Sequence, residues 1–412
     1  MRIQNSESRI QNKYKLQATI DQRQSAKTIA AVTTGRGVGA IATIELFGKK
    51  AESVLNKIFI NAGGAKPDFQ TGEIIIGTIK ASKRIIDQVT IGCEGENHFA
   101  INCHGNPLIV AEIMELLKRK GVKPVNEKTF LAKIFSMGCK TTIEAEVKLS
   151  LTDAKTLIGT KMILNQEKEG LQKLAKKWLT KFDIISLNKI KEQAKQILTN
   201  TEIAKPIIYG CKIVLAGPPN SGKSTLLNYL AGKQRAIVTD IAGTTRDYVT
   251  AECRIGPLFA QLIDTAGISE RGKGDIENIA QRKSVKILHD ADLVLLILDG
   301  SLSDNKLDEV FLKNISGKPL ITVLNKSDLP LRFKINSLPE NLSDYVKISA
   351  KSGRGVDKLL QKIRQKTGVD EFNITLPVCI AKRQEKLIQN LIAAKTRSQV
   401  RKIITELLNG RL

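Results

Sequence analysis

The sequence predicts an α/β domain inserted into an all-α domain, with a small α+β domain in front of both. Three observations carry this prediction. Apolar strands alternate with helical stretches over residues 206–368, which is typical of a parallel sheet covered by helices on both faces. Apolar residues recur at spacings of three and four on either side of that segment, in residues 125–205 and 369–412. Short β-branched runs broken by glycine-containing turns fill residues 27–124.

The chain is too long for a single core, and it is strongly basic. A chain of 412 residues is expected to fold as two or three domains. Its 65 Lys and Arg residues outnumber 41 Asp and Glu residues, which gives a formal net charge of +24. This excess favours a polyanionic partner, with nucleic acid first, through contacts with phosphates. A lysine-rich composition at solvated positions is the alternative explanation.

Cysteine spacing and hydropathy exclude several classes of protein. The six cysteines show no CxxC or metal-ligand spacing, so neither a zinc site nor a disulfide framework is predicted. The longest apolar run, Leu293–Leu298, has the length of a strand and not of a membrane span. Residues 1–26 are polar and lack an apolar core, which predicts a polar extension and not a secretory signal. We expect a cytoplasmic protein that does not enter the membrane, with import into an organelle left open.

The first domain is predicted to contain five strands and a helix near Leu108–Lys120. The strands, each rich in β-branched residues, are Ile29–Val32, Gly39–Leu46, Glu73–Ile79, Ile85–Ile91 and Phe99–Cys103.

The two helical stretches are expected to pack against each other. Leu171 and Trp178 are seven residues apart in the first, and Leu387 and Leu391 are four apart in the second. Each pair therefore shares one helix face.

A phosphate-binding loop opens the α/β domain. The predicted strand Cys211–Ala216 runs directly into Gly217–Ser224, which fits the pattern GxxxxGK[ST] between a strand and a helix. In such a loop the backbone N–H groups surround the phosphates, Lys223 places its charge at the β and γ oxygens, and Ser224 offers its hydroxyl to Mg²⁺. The helix that begins near Thr225 adds the positive end of its dipole.

A second phosphate element follows the predicted strand Ala260–Ile263. Asp264-Thr-Ala-Gly267 places a carboxylate at the strand end, where it can hold Mg²⁺ through water, and Gly267 can present its N–H to the γ-phosphate. Ras-like proteins carry a glutamine in the next position, where it orients the attacking water, whereas this chain carries Ile268. Another group must therefore position the water.

Two further motifs are predicted to bind the base of the nucleotide. Asn325-Lys-Ser-Asp328 follows the predicted strand Leu320–Leu324, and the Asp328 carboxylate can accept hydrogen bonds from N1–H and the 2-amino group of guanine. Adenine lacks that pair of donors. Ser349-Ala-Lys351 offers a backbone N–H to the guanine carbonyl. The α/β domain is therefore predicted to be a P-loop G domain that binds and hydrolyses GTP.

Three features resemble the potassium-activated TrmE/Era/Der class of GTPases: Asn220 in the P-loop, the Ile241–Asp247 segment, and Ile268. The resemblance implies that Asn220 helps to hold K⁺ near the phosphates, in place of an arginine finger. A loop-stabilising Asx turn is the alternative role. The residues then predicted to bind GTP are Asn220, Ser221, Gly222, Lys223, Ser224, Thr225, Thr244, Thr245, Asp264, Gly267, Asn325, Lys326, Asp328, Ser349 and Ala350, with Ser224, Thr245 and Asp264 at Mg²⁺.

The whole layout resembles the tRNA-modification GTPase family of the MnmE/TrmE type. Thr28–Gly39 and Ile101–Gly105 look like the family's N-terminal signatures, and Arg383 falls where the family has an arginine. The resemblance implies a homodimer through the N-terminal domain, an FAD-containing partner and action on the wobble uridine of tRNA. It also implies that Glu277, within Ile276–Ala280, orients the attacking water, together with Asn220 and Lys223 as catalytic groups. A solvated helix glutamate is the alternative for Glu277.

The chain departs from the family where modification chemistry is expected. Family members end in Cys-x-Gly-Lys, whereas this sequence ends Leu408-Asn-Gly-Arg-Leu412. Glu45 stands where the family has an arginine that contacts 5-formyl-tetrahydrofolate, which argues against this ligand, although Glu96 matches a folate-contacting glutamate. Two hypotheses follow: a GTPase acting in wobble-uridine modification, or an RNA- or ribosome-associated regulatory GTPase that has lost that chemistry.

Overall fold

The computed structural model divides the chain into two compact units, one ending at Met137 and one beginning at Gly138. It describes residues 27–35, 37, 39–64, 66–82, 84–233, 249–264, 287–303, 305, 315, 317–334, 338–370 and 372–411.

The first unit is built on a seven-stranded sheet with the order β3-β4-β5-β6-β2-β1-β7. Its neighbouring strands are antiparallel except for the β1–β7 pair, which is parallel. The strands are β1 (Ile29–Val32), β2 (Ile41–Phe47), β3 (Phe59–Asn61), β4 (Ile74–Ala81), β5 (Arg84–Gly95), β6 (His98–His104) and β7 (Lys123–Pro124). All five predicted strands are present, and sequence analysis missed the short β3 and β7.

Helices cover both faces of this sheet in part. Helix α1 (Ala51–Ile58), which sequence analysis missed, and α2 (Pro107–Arg119) contribute to the larger core, in which Ile44, Leu55 and Leu117 are fully buried. On the opposite face, α3 (Glu127–Gly138) packs Phe130 against β1. The predicted end of the first domain at 124 put this helix in the helical domain, whereas the compact unit extends to Met137. Helical periodicity gives no sign of which neighbour a helix packs on.

The second unit contains helices on either side of an α/β region in the sequence. Those before it are α4 (Thr142–Leu151), α5 (Leu157–Lys168), α6 (Leu171–Thr180) and α7 (Leu187–Tyr209), and those inside and after it are α8 (Lys223–Lys233), α9 (Val356–Thr367), α10 (Lys382–Ala393) and α11 (Arg397–Asn409). Helix α10 packs on α7, and α11 packs on α6. Trp178 is fully buried among them and donates to Gln193 Oε1 at 2.7 Å.

An ion pair joins three of these helices. Glu146 on α4 is 3% exposed and accepts two bonds from Arg383 on α10, at 2.7 and 2.8 Å. Arg383 also donates to the carbonyls of Glu406 and Leu407 in the last turn of α11, at 2.9 and 3.1 Å. One arginine therefore neutralises a buried carboxylate and satisfies a helix C-terminus.

The α/β region forms a six-stranded sheet with the order β13-β12-β11-β8-β10-β9. The strands are β8 (Cys211–Ala216), β9 (Val249–Ile255), β10 (Leu258–Asp264), β11 (Leu293–Asp299), β12 (Leu320–Asn325) and β13 (Tyr345–Lys347). Every neighbouring pair is parallel except β9–β10. The expectation of a parallel sheet was therefore wrong for its edge, where β9 and β10 form a hairpin whose turn contains Gly256 at φ +63°.

The boundary predicted between residues 205 and 206 falls inside α7. The helix continues through Pro206 to Tyr209, and Gly210 at φ +90° then ends it. Strand β8 begins one residue later with the ends that the sequence predicts. Every residue of β11 is buried, as expected for a central parallel strand with neighbours on both faces.

Candidate functional site

The P-loop packs so closely on its surroundings that two positions require glycine. Gly217 has φ +143°, and a Cβ there would lie 2.1 Å from the carbonyl oxygen of Ile297, two residues before the end of β11. Gly222 has φ +93°, and its Cβ would lie 2.2 Å from Asn325 Nδ2. Both distances are well inside van der Waals contact. The loop therefore turns back over the carboxyl ends of the parallel strands, where α/β folds bind ligands.

Lys223 holds its ammonium group at the inner edge of this loop. The residue is only 5% exposed, and Nζ donates to the carbonyls of Gly217 and Pro218 at 3.1 and 2.8 Å. A buried ammonium group at the residue that begins α8, where the helix dipole is positive, makes this loop attractive to a polyphosphate.

Ser224 and Asp264 supply two hard oxygen donors at the same place. The Ser224 hydroxyl donates to Asp264 Oδ2 at 2.5 Å. Asp264 is 1% exposed at the end of β10, which pairs in parallel with β8 so that Asp264 lies beside Leu215. Mg²⁺ prefers such oxygen ligands and takes the rest from water and substrate phosphates. Among the described residues there is no cluster of three or more His, Cys, Asp or Glu that could hold a metal alone. The donor set therefore fits Mg²⁺ bound together with a nucleotide.

Asn325 ties the phosphate side of the site to the base side. Its Nδ2 donates to the carbonyl of Ser221 at 2.8 Å, and its Oδ1 accepts from the backbone N–H of Ala350 at 2.9 Å. Asn325 is 2% exposed, so both bonds are shielded from water. This one side chain fixes the P-loop relative to the Ser349-Ala-Lys351 loop.

Asp328 is exposed at the site and carries a charge suited to guanine. A hydrogen bond from the Ser349 hydroxyl, above all, lowers the pKa of the Asp328 carboxyl below its ordinary value. Ser349 is itself fully buried and accepts from the backbone N–H of Ser352 at 3.2 Å. A buried serine thus orients an ionised carboxylate that faces solvent, as recognition of two N–H donors requires.

Lys326 is held by an ion pair that sequence analysis did not find. It has φ +61°, and its Nζ lies 2.6 Å from Asp299 Oδ2 at the end of β11. Burial alone would raise the pKa of Asp299, but hydrogen bonds from Lys326 and Ser301 outweigh it and lower that pKa. Asp299 also anchors its own loop, since its backbone N–H and C=O both bond to the Asn305 side chain. Only the sheet order, which makes β11 and β12 neighbours, reveals the pair.

Asn220 adopts the left-handed conformation at φ +61° and is exposed on the P-loop. Asparagine is among the few residues that adopt this conformation readily. Thr225 is exposed in the first turn of α8, and that helix begins two residues earlier than predicted, at Lys223. The remaining site predictions, Thr244, Thr245, Gly267 and Glu277, lie outside the described residues, within 234–248 and 265–286.

The residues predicted around folate lie in the first unit. Glu45 Oε2 and His98 Nε2 are 2.6 Å apart, and the His98 ring meets Phe47 and Phe130 at centroid distances of 5.9 Å. Glu96 is exposed in the turn that follows β5. Glu45 places a carboxylate where the family resemblance implies an arginine, and that carboxylate is already bonded to His98, so these residues do not fit an anionic folate.

His104 is paired in the same unit. Its Nδ1 lies 2.7 Å from Asp87 Oδ1, and its backbone N–H donates to Asp87 Oδ2 at 2.8 Å.

In the described part of the chain, no helix combines the length and the hydropathy needed to span a bilayer.

Two family models match the sequence. Residues 28–138 match the GTP-binding protein TrmE N-terminus, and residues 212–326 match the 50S ribosome-binding GTPase family. The G domain of the FeoB iron transporter from T. maritima is 28% identical, with a TM-score of 0.30, and the match covers 38% of this chain and 98% of that one.

Curated relatives of the same family match about two thirds of the chain. The tRNA modification GTPase MnmE of Clostridioides difficile is 32% identical in an alignment of 308 positions that covers 66% of this chain and 67% of the relative. The MnmE protein of Lactococcus lactis subsp. lactis is 34% identical in an alignment of 320 positions that covers 69% of this chain and 70% of the relative. The aligned part thus spans about two thirds of each relative. This similarity, together with a P-loop and a guanine-binding loop joined by Asn325, confirms the resemblance seen in the sequence: the chain is a GTPase that belongs to the MnmE family of tRNA modification GTPases.

Proposed function

We propose that the chain is a K⁺-assisted GTPase whose nucleotide cycle drives modification of the tRNA wobble uridine. The observation that carries the proposal is the Asn325 bridge. A buried amide that fixes both the P-loop and the Ala350 N–H prepares phosphate and base contacts before GTP arrives. Family membership supports tRNA as the substrate, because the relatives are tRNA modification GTPases.

In this proposal the residues of the site divide the work on GTP. Lys223 binds the β and γ oxygens, and Asp328 selects guanine. Ser224, Asp264 and Thr245 hold Mg²⁺, which supplies positive charge at the phosphates when it is bound. Asn220 contributes to a K⁺ site on the same loop, and Glu277 orients the attacking water.

The potassium part of the proposal has a direct test. We expect GTP turnover to fall sharply when K⁺ is replaced by Na⁺, or when Asn220 is changed to Ala in K⁺. Ser343→Ala is a suitable control, because Ser343 lies in an exposed turn of the same domain and its hydroxyl donates to the carbonyl of Glu340. Equal rates in K⁺ and Na⁺ would reject K⁺ assistance and leave the GTPase assignment untouched.

The architecture proposed for this activity is a split helical domain with the G domain inserted. Packing of α10 on α7 and of α11 on α6 supports it. So do the bonds that α5 and α7 make to the segment returning from the G domain. Gln166 accepts from the Val378 N–H at 3.0 Å, and Thr201 accepts from the Cys379 N–H at 2.9 Å.

We also propose that two copies pair through the first unit and work with an FAD-containing partner. The outer face of its sheet supports pairing, because Ile60, Ile74 and Ile76 share that face and are 43, 70 and 54% exposed. Light scattering of the full chain should report a dimer that Ile74→Asp weakens. A dimer of unchanged stability would place the contact elsewhere.

The second candidate function is an RNA- or ribosome-associated GTPase switch without modification chemistry. The Glu45–His98 pair favours it, because it occupies the position at which the family resemblance implies a folate contact. Deletion of the gene followed by nucleoside analysis of tRNA separates the two functions. Loss of the 5-aminomethyl-type wobble modification supports the first, whereas unchanged nucleosides would reject it in favour of the second.

A further inference from the structure

One surface of the second unit, around helices α6 and α11, is far more basic than the chain as a whole. Residues 173–195 and 395–402 contain eleven Lys or Arg residues, seven in the first range and four in the second, and two carboxylates, Asp183 and Glu192. The whole chain has 65 basic residues against 41 acidic ones, so general lysine enrichment does not account for this ratio. The two ranges meet in space because α6 packs on α11. We call these residues the basic surface.

Two arginines at its centre are held in place by one aromatic ring. Arg397 and Arg401 lie one turn apart on α11, and each guanidinium carbon is 4.9 Å from the centroid of the Phe182 ring. The ring is 4% exposed, so it forms a fixed platform. Arg397 also donates to the backbone carbonyls of Phe182 and Ile185. The positions of the guanidinium groups are therefore fixed before any partner binds.

The charges of this pair are poorly balanced within the protein. Asp183 lies 3.9 Å from Arg401, but its side chain is 89% exposed, and such a contact contributes little in water. Like charges one turn apart on a helix repel each other. An external anion would remove this repulsion.

The chemistry of the surface fits phosphodiester groups. Arg401 stacks on the ring and presents a planar fork of N–H donors that matches two phosphate oxygens. Both terminal nitrogens of Arg397 already donate to backbone carbonyls, so Arg397 contributes mainly its fixed positive charge. Exposed lysines such as Lys177 and Lys181, in the same range as Phe182, add further positive charge, as in proteins that follow a nucleic-acid backbone. An anionic bilayer is a poorer match, because the apolar residues of α11 are already buried in the core and cannot enter lipid.

We propose that the basic surface binds the sugar–phosphate backbone of an RNA, with Arg397 and Arg401 as its two fixed contacts and lysines such as Lys177 and Lys181 extending it. This inference takes RNA as the partner from the proposed function and adds the place where it binds. The surface belongs to the helical part and not to the nucleotide site.

The test is RNA binding by the full chain, measured by anisotropy of a fluorescein-labelled tRNA transcript over a range of salt. Arg397→Gln with Arg401→Gln should weaken binding at least tenfold. It should also lower the slope of log affinity against log salt by roughly 1.4 to 1.8, since each lost phosphate contact contributes about 0.7 to 0.9. Because Arg397 also bonds to backbone carbonyls, a second variant, Lys177→Gln with Lys181→Gln, removes exposed charges without disturbing the ring. It should weaken binding in the same direction.

The matched control is Lys358→Gln with Lys366→Gln, which removes two exposed charges from α9 in the G domain. RNA affinity should stay within threefold, and GTP turnover should be unchanged in all three variants. If the wild type binds RNA and the basic-surface variants bind it equally well, the location is wrong and the proposed function stands. If the wild type does not bind tRNA at any salt concentration, the RNA partner itself is wrong. If vesicles of anionic lipid bind more tightly than RNA and lose binding in the same variants, the surface is a membrane contact.

Discussion

Asn325 offers the sharpest test of how the nucleotide site is built. Its replacement by alanine would leave the Ser221 carbonyl and the Ala350 N–H without their partner, at a position only 2% exposed. An unpaired buried group costs about 1–3 kcal/mol, so the two together cost about 2–6 kcal/mol. If half of that falls on the ordered, nucleotide-binding form, GDP affinity should drop by roughly five- to 150-fold, because each 1.4 kcal/mol is a factor of ten.

The assay is titration with a fluorescent guanine nucleotide in the presence of Mg²⁺, and the structure provides a control on the same strand. Thr322 is also fully buried, and its hydroxyl has no hydrogen-bond partner among the described residues. Thr322→Val keeps the shape and removes an unsatisfied group, so nucleotide affinity should not change. If Asn325→Ala binds GDP within threefold of the wild type, the bridge does not organise the site and the reasoning fails.

Three further predictions concern stability, specificity and reactivity. Arg383→Ala leaves the Glu146 carboxylate buried without its ion-pair partner, which should lower the free energy of unfolding of the joined helices by about 3–5 kcal/mol. Hydrogen exchange in α10 and α11 should become faster, and unchanged exchange would contradict this prediction. Asp328→Asn should change the preferred ligand from GTP to the xanthine nucleotide, because the 2-oxo group of xanthine can accept a hydrogen bond from the asparagine amide. Competition binding measures this preference, and a variant that still favours GTP would show that Asp328 does not face the base. Burial raises the pKa of the Cys211 thiol to about 12, so iodoacetamide at pH 8 should alkylate the half-buried Cys139 first, and mass spectrometry that finds Cys211 modified first would refute this order. The same shift makes folding pH-dependent: the stabilisation from keeping Cys211 protonated is complete below the unfolded pKa of about 8.5 and is lost as pH rises towards 12.

Most features predicted for the G domain followed from residue patterns within short segments of the sequence. The strand Cys211–Ala216 has the predicted ends because an apolar run is stopped at once by Gly217, whose φ of +143° no strand residue with a side chain would adopt readily. The motifs that contain Lys223 and Asp264 follow strands directly, and parallel strands bring their carboxyl ends to one edge. Spacing along the chain was therefore enough to predict proximity in space.

Predictions failed where the sequence pattern identifies a helix or strand but does not identify the element that packs against it. The helix Glu127–Gly138 has ordinary helical periodicity, and only Phe130 contacting β1 assigns it to the first unit. The strand Val249–Ile255 contains β-branched residues like its neighbours, and only the tight Gly256 turn makes it antiparallel. Periodicity reports which face of an element is apolar, and it does not report what covers that face.

The sequence by itself determined the family, the guanine nucleotide and the order of the phosphate and base motifs, because these depend on residue types at fixed spacing in continuous segments. The tertiary structure alone decided what binds to what across those segments. Asn325 joins the P-loop to the Ala350 loop, Lys326 pairs with Asp299, and Arg397 and Arg401 share the ring of Phe182. Each of these contacts joins residues from separate elements, and sheet order and helix packing, which follow from burial of the whole chain, bring them together.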